Sequence, residues 1–132
     1  MWLFLTRSIL LKNRRLLGRW GEKYALRYLK GKGYIPLAFN FTSKSGEVDL
    51  ITRYKDGTFV FVEVKTRGFK EYIPAINAVG KKKQRNISYT ARNFIRKYGL
   101  HNSPHRYDII TIVLPRKGSP QLTHHERAFG PI

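Results

Sequence analysis

Apolar residues recur along this chain at two spacings, every second position in some stretches and every third or fourth in others. Ile35, Leu37, Phe39 and Phe41 alternate with other residues, which predicts a strand from about Tyr34 to Phe41, and Pro36 marks a sheet edge or a strand start. Thr42 to Gly46 reads as a turn. Two apolar runs follow, Gly46-Glu47-Val48-Asp49-Leu50-Ile51 and Phe59-Val60-Phe61-Val62-Glu63-Val64-Lys65-Thr66-Arg67, and Lys55-Asp56-Gly57 between them has hairpin-turn composition. Later, Arg106 to Leu114 is apolar on both of its faces, the pattern of a central strand covered from two sides, and Pro115 ends it. Leu122 to Phe129 forms a last short strand.

The helical spacing appears twice. Ala25, Leu26 and Leu29 share a stripe with Glu22, predicting a helix from about Arg19 to Lys30 that Gly31 and Gly33 end. Ile87, Ala91, Phe94, Ile95 and Tyr98 form the stripe of a second helix, which begins near Ile76 or Lys81 and stops at Gly99. Between the second apolar run and this helix, Gly68 to Pro74 reads as a loop carrying Phe69 and Tyr72. The order α-β-β-β-α-β-β is that of an α/β sandwich with a mixed sheet, with no internal repeat.

At 132 residues the chain supports one domain, taken as residues 20–132, behind a basic apolar leader over residues 1–19. The leader's apolar opening is too short to span a bilayer, and no signal-peptide pattern frames it. It is either a basic amphipathic helix that touches membrane or nucleic acid, or a segment that is loose or docked on the core. With 42% hydrophobic residues the chain is not of the disordered class, and without cysteine it has no disulfide, thiolate metal site or cysteine nucleophile.

Charge changes the picture most. Lys and Arg number 26 against 8 Asp and Glu, a net charge of +18, which in a folded domain implies a polyanionic partner, nucleic acid first and an anionic membrane surface second. The second helix carries Lys81, Lys82, Lys83, Arg85, Arg92, Arg96 and Lys97 with no acid among them, so it is expected to track phosphate, and Arg67 lies where a phosphate would pass. Of the 8 acids, Glu47, Asp49 and Glu63 fall in the two apolar runs.

In the second run Val60, Val62 and Val64 share one face, and Phe59, Phe61, Glu63 and Lys65 share the other. An acid and a base thus stand two residues apart on an apolar strand, with Asp49 on the partner strand placed to join them. Such a set suits phosphodiester hydrolysis, in which a hard cation neutralises phosphate and acidifies water. Asp49, Glu63 and the Val64 carbonyl would hold Mg²⁺ or Mn²⁺, and Lys65 would orient water or stabilise developing charge. A salt-bridge network that only staples the sheet is the competing reading. From periodicity alone, Glu22 serves equally well as a first-turn acid favouring the helix dipole.

The pattern Asp49…Glu63-Val64-Lys65 resembles the PD-(D/E)xK nuclease signature of the restriction-endonuclease-like fold. More closely, the chain resembles the YraN family of small bacterial proteins, itself similar to archaeal Holliday junction resolvases. The matching pieces are Gly21-Glu22 with Ala25 and Leu29, the two apolar runs, Lys83-Gln84-Arg85, Arg106-Tyr107-Asp108, and His124 with Ala128-Phe129. They cover about Gly18 to Phe129 and leave the leader out. The resemblance implies a three-layer sandwich, a mixed central sheet flanked by helices, and a site at Glu22, Asp49, Glu63 and Lys65. It makes Glu22 a site member. The expected activity is that of a Mg²⁺-dependent DNA endonuclease of resolvase type, cytoplasmic, with a homodimer implied by the need to cut two strands. The rivals are a non-catalytic nucleic-acid-binding module and a membrane or protein-interaction factor using the leader. His101, His105, His124 and His125 lack metal-ligand spacing and are expected to be ordinary surface or strand histidines.

Overall fold

Both apolar runs are strands, and they meet as the hairpin composition expects. The computed structural model describes residues 2–69 and 79–130. In it β1 (Tyr34–Ser43), β2 (Gly46–Tyr54) and β3 (Phe59–Gly68) form an antiparallel meander. Gly57 closes the β2–β3 turn at φ 93°, a conformation that glycine adopts without a Cβ clash, and its N–H donates to the Tyr54 carbonyl at 2.8 Å. β4 (His105–Leu114) runs parallel to β3, and β5 (Gln121–Phe129) runs antiparallel to β4, giving a mixed sheet in the order β1-β2-β3-β4-β5. A parallel step needs a crossover, here containing the helix α3 (Lys81–Lys97). Two helices precede the sheet, α1 (Trp2–Lys12) and α2 (Arg14–Gly31).

The alternation in β3 sorts the core into two layers. Val60, Val62 and Val64 pack with Leu50, Ile110 and Ile112 against Ala25 and Leu29 of α2. Phe61 packs on the other side with Val48, Ile51, Tyr107 and Ile109 against Ile87, Ala91, Phe94 and Ile95 of α3. Helix, sheet and helix therefore make three layers, and β3 and β4 are covered from both sides, as their apolar runs require. At one end of this stack Gly21 of α2 lies against Thr66 of β3 so closely that an added Cβ would fall 1.8 Å from Thr66 Oγ1. That contact sets the helix down on the strand next to Glu22.

Several boundaries differ from the expectations. α2 starts at Arg14 rather than Arg19, because the Asn13 side chain accepts from the Leu16 N–H at 3.1 Å and caps the helix five residues earlier. It also runs through Gly31. β1 continues to Ser43, so the turn contracts to Lys44-Ser45, with Ser43 opposite Gly46. β1 is an edge strand, as Pro36 suggests, and its register slips between Pro36 and Ala38. Ile35, Leu37 and Phe39 consequently point to solvent at an uncovered edge. Tyr98 does not join the apolar stripe of α3 but is 54% exposed at the helix C-cap. α3 begins at Lys81; the alternative start at Ile76 and the loop residue Tyr72 lie outside the described residues.

Over the leader, α1 packs on the domain. Arg7 donates to the Pro115 carbonyl at 3.2 Å, and Leu11 reaches within 3.3 Å of where a Gly68 Cβ would stand. No helix among the described residues is long and apolar enough to cross a membrane.

Candidate active site

β2 and β3 pair from Arg53–Phe59 as far as Leu50–Val62 and then part. β1 still pairs with β2 as far as Gly46, and β4 still pairs with β3 as far as Gly68, so the sheet forks at its centre. Beyond the last rung the Val64 N–H has no β2 carbonyl to donate to. It donates instead to Asp49 Oδ2 at 2.9 Å. The fork thus fixes the Asp49 carboxylate against the backbone of β3, beside Glu63.

Glu63 is 3% exposed and Asp49 8% exposed. Lys65 Nζ lies 3.8 Å from Glu63 Oε2, and Lys83 Nζ of α3 lies 3.6 Å from the same oxygen. The other oxygen, Glu63 Oε1, is buried and has no hydrogen-bond partner among the described residues. Burial first, and then the charge of Asp49, push the Glu63 carboxyl up to about 8 against the pull of Lys83 and Lys65. Two acids so placed favour a proton or a cation between them. Glu22 stands at the edge of the cluster, where burial and the charge of Asp49 raise its pKa as well.

The structure brings together Glu22, Asp49, Glu63, the Val64 backbone and Lys65, the positions that the sequence names. Among the described residues no three or more His, Cys, Asp or Glu side chains converge on a metal-sized position. Mg²⁺ does not require three, since it commonly takes one or two carboxylates and completes its shell with water and phosphate. An orphaned buried carboxylate oxygen beside a second carboxylate fits that donor set. Asp49 and Glu63 are the pair that would hold the cation, with Glu22 outside it.

Of the basic positions, Lys81, Lys82, Arg85 and Arg92 are exposed on α3, and Arg92 lies over the Tyr89 ring at 5.7 Å. Arg67 lines a cleft of about 180 Å³ with Arg14, Leu17 and Lys65, immediately beyond the fork. Lys83 is likewise exposed on α3, and its ammonium group also lies beside the buried acid. A sequence signal for this existed. Lys81, Lys82 and Lys83 fill the first turn of a helix, where the dipole disfavours cations, and Gly80 supplies no side-chain cap. Negative charge facing that turn resolves the conflict.

Asn40 also went unnoticed. It holds φ 48°, and its amide donates to Glu22 Oε1 at 3.3 Å and Glu47 Oε1 at 3.4 Å.

In a second polar cluster sits His124, a strand histidine of β5 as expected, whose hydrogen bonds the sequence did not show. Its side chain is 7% exposed, its Nε2 lies 2.7 Å from Asp108 Oδ2, and its Nδ1 lies 3.1 Å from the Tyr28 hydroxyl. Asp108 is fully buried and also takes Arg106 Nε at 3.1 Å and the Arg127 N–H at 3.1 Å. Arg106 Nη2 donates to the Tyr34 hydroxyl as well. Strand alternation puts Arg106 and Asp108 on the α2 side of β4, but nothing in the residue spacing shows that β5 returns a histidine to the same place.

The model of the uncharacterised protein family UPF0102 matches residues 21–112. A UPF0102 protein of Trichlorobacter lovleyi is 39% identical over 119 residues, covering 89% of this chain and 93% of its own. One of Geotalea uraniireducens is 42% identical, covering 86% and 88%, and one of Treponema pallidum is 40% identical, covering 89% and 95%. Among solved structures, a chain of an EndoMS–double-stranded DNA complex aligns with 74% of this chain and 45% of its own at 16% identity, with a TM-score of 0.33. A likeness that low carries no argument here.

Proposed function

This chain belongs to the uncharacterised protein family UPF0102, and we propose that it is a metal-dependent nuclease that hydrolyses phosphodiester bonds, with DNA as its substrate. One observation carries the proposal. A buried carboxylate pair, one of its oxygens without a hydrogen-bond partner among the described residues, faces two lysines in a chain of net charge +18. A protein that only binds phosphate gains nothing by holding buried carboxylates there, because they repel the ligand.

In this reading Asp49 and Glu63 would hold Mg²⁺ or Mn²⁺, with the Val64 carbonyl as a further ligand. When bound, the cation neutralises the phosphate and lowers the pKa of an attacking water. Lys65, 3.8 Å from Glu63, orients that water and meets charge that develops on the phosphoryl oxygens. Lys83 lies 3.6 Å from the same carboxylate oxygen and, being exposed, would also contact substrate phosphate. Glu22 acts from outside the pair through solvent. Arg67, Lys81, Lys82, Arg85 and Arg92 contact backbone phosphate, which gives affinity that falls with salt and carries no base preference.

The test is cleavage of labelled single-stranded, duplex, flap and four-way-junction DNA, and of RNA, with Mg²⁺ or Mn²⁺. Metal-dependent cutting by the parent, reduced at least about a hundredfold in Glu63→Ala and in Lys65→Ala, is the expected result. Tight binding without cutting, equal in all three proteins, would leave a binding module instead. Junction resolution needs two sites acting on two strands, so the preferred substrate is read together with the oligomeric mass of the protein.

A further inference from the structure

A separate cleft of about 570 Å³ opens at the other end of the sheet, where α2 ends and β1 begins. Its walls carry the rings of Tyr28 and Tyr54, the ammonium groups of Lys32 and Lys55, and His124 and Glu126. None of these residues belongs to the forked site, which lies at the opposite ends of β2 and β3.

Two features distinguish the cleft from ordinary surface. First, each lysine is paired with an aromatic face. Lys32 Nζ lies 6.0 Å from the centre of the Tyr28 ring, and Lys55 Nζ lies 5.5 Å from that of Tyr54. Cations and aromatic faces thus alternate around one opening. Second, its back wall is built on buried polar groups. Tyr28 is tied through His124 to the fully buried Asp108, and Tyr34, whose ring lies 4.5 Å from that of Tyr54, is tied to Arg106. Side chains held in this way lose little freedom when a ligand arrives.

We propose that this cleft is a nucleotide-binding subsite that takes a nucleoside monophosphate unit, its phosphate drawing Lys32 and Lys55 off the Tyr28 and Tyr54 faces and its base taking their place on one of those rings. Aromatic faces stack on any base, and nearby ammonium groups supply the phosphate half of the recognition. Glu126, whose carboxylate is paired to Arg106 at 3.3 Å, accepts from ribose hydroxyls or from a base amine. The volume suits a ligand of this size and not a duplex. The unit comes either from a free mononucleotide or from the 5′-phosphorylated end of a strand. The chemistry is shared, and only measurement separates the two sources.

The subsite does not depend on the cleavage proposal, and its test contains no divalent metal. Amide resonances of the ¹⁵N-labelled protein are followed during titration with adenosine 5′-monophosphate, adenosine, inorganic phosphate, and short strands with a 5′-phosphate or a 5′-hydroxyl. Shifts centred on Gly31, Gly33, Tyr54, Lys55 and His124 are expected, with adenosine and phosphate each binding roughly tenfold or more weakly than the nucleotide. A Lys32→Glu/Lys55→Glu protein loses at least about tenfold in affinity, while a charge-matched Lys23→Glu/Lys117→Glu control binds as the parent does. Preference for the phosphorylated strand over the mononucleotide assigns the subsite to strand ends, and the reverse assigns it to free nucleotide. Shifts spread along α3 and the fork, phosphate binding as tightly as the nucleotide, or equal losses in both double variants would each overturn the proposal.

Discussion

Two buried acids of this protein lie on neighbouring strands and live in opposite circumstances. Asp108 on β4 is surrounded by donors: Arg106, His124 and the Arg127 N–H. Glu63 on β3 has two lysines beside one oxygen, another acid nearby, and no hydrogen-bond partner on Oε1 among the described residues. The difference separates a carboxylate that completes the structure from one that leaves an interaction open. A satisfied buried charge holds its neighbours in place. An unsatisfied one raises the energy of the empty site and rewards whatever cation, proton or metal then enters it.

The contrast breaks most visibly at Asp108. Asp108→Ala leaves Arg106 buried without its main counter-charge and removes the acceptor that holds His124. Loss of one partner from a buried ion pair costs about 3–5 kcal/mol, a large part of a small domain's stability. Urea denaturation should show the midpoint collapsing, or no folded protein at all. A variant of near-parental stability would mean that the cluster at β4 and β5 is not what fixes that end of the sheet.

Glu63 should respond with the opposite sign. Its folded pKa, about 8, lies above the ordinary carboxylate value of 4.5, so between those values the folded state retains a proton that the unfolded state has released. Stability therefore falls as pH rises through that window and levels off above it. Glu63→Gln carries no such proton. Relative to the parent it should gain on the order of 5 kcal/mol near pH 9 and almost nothing near pH 4, where both states of the parent are mostly protonated. Paired denaturation curves across that range measure the slope. Metal addition sharpens the test. Mg²⁺ should raise the melting temperature of the parent at pH 8 and leave Glu63→Gln unchanged. A parent whose stability is flat from pH 5 to 8 would mean that Glu63 is ionised at no cost and that its environment is already neutralised.

How far the sequence disclosed each acid follows from the distance over which its environment is encoded. The fork site lay mostly within one hairpin. Period-two alternation placed Glu63 and Lys65 on one face, and the hairpin placed Asp49 across from them, so the three could be named without coordinates. Lys83 is exposed, as the pattern of α3 indicates, but that pattern does not show that its first turn overlooks the strand end carrying Glu63. Asn13 moved the start of α2 by five residues, because a single cap decides what an amphipathic stripe leaves open. The Asp108 cluster draws on α2, β1, β4 and β5, elements up to 96 residues apart in the chain. No local period carries that information, so the partners of His124 were not legible even though its place on a strand was.

The smallest effect probes the link between the buried cluster and the cleft in front of it. The Tyr28 hydroxyl meets His124 Nδ1 at 3.1 Å, and the ring stands edge-on to the imidazole at 5.5 Å between centres. Tyr28→Phe keeps the ring, the edge contact and the packing on α2, and removes only the hydroxyl. Because Tyr28 borders an open cleft, water takes the vacated place on His124, and the cost should stay near 1 kcal/mol or below. Denaturation should thus barely distinguish the variant from the parent, whereas the His124 ring resonances should shift as their partner changes. A loss of several kcal/mol would mean that Tyr28 completes the Asp108 cluster itself rather than capping its outer edge, and the wall of the cleft would then be part of the core.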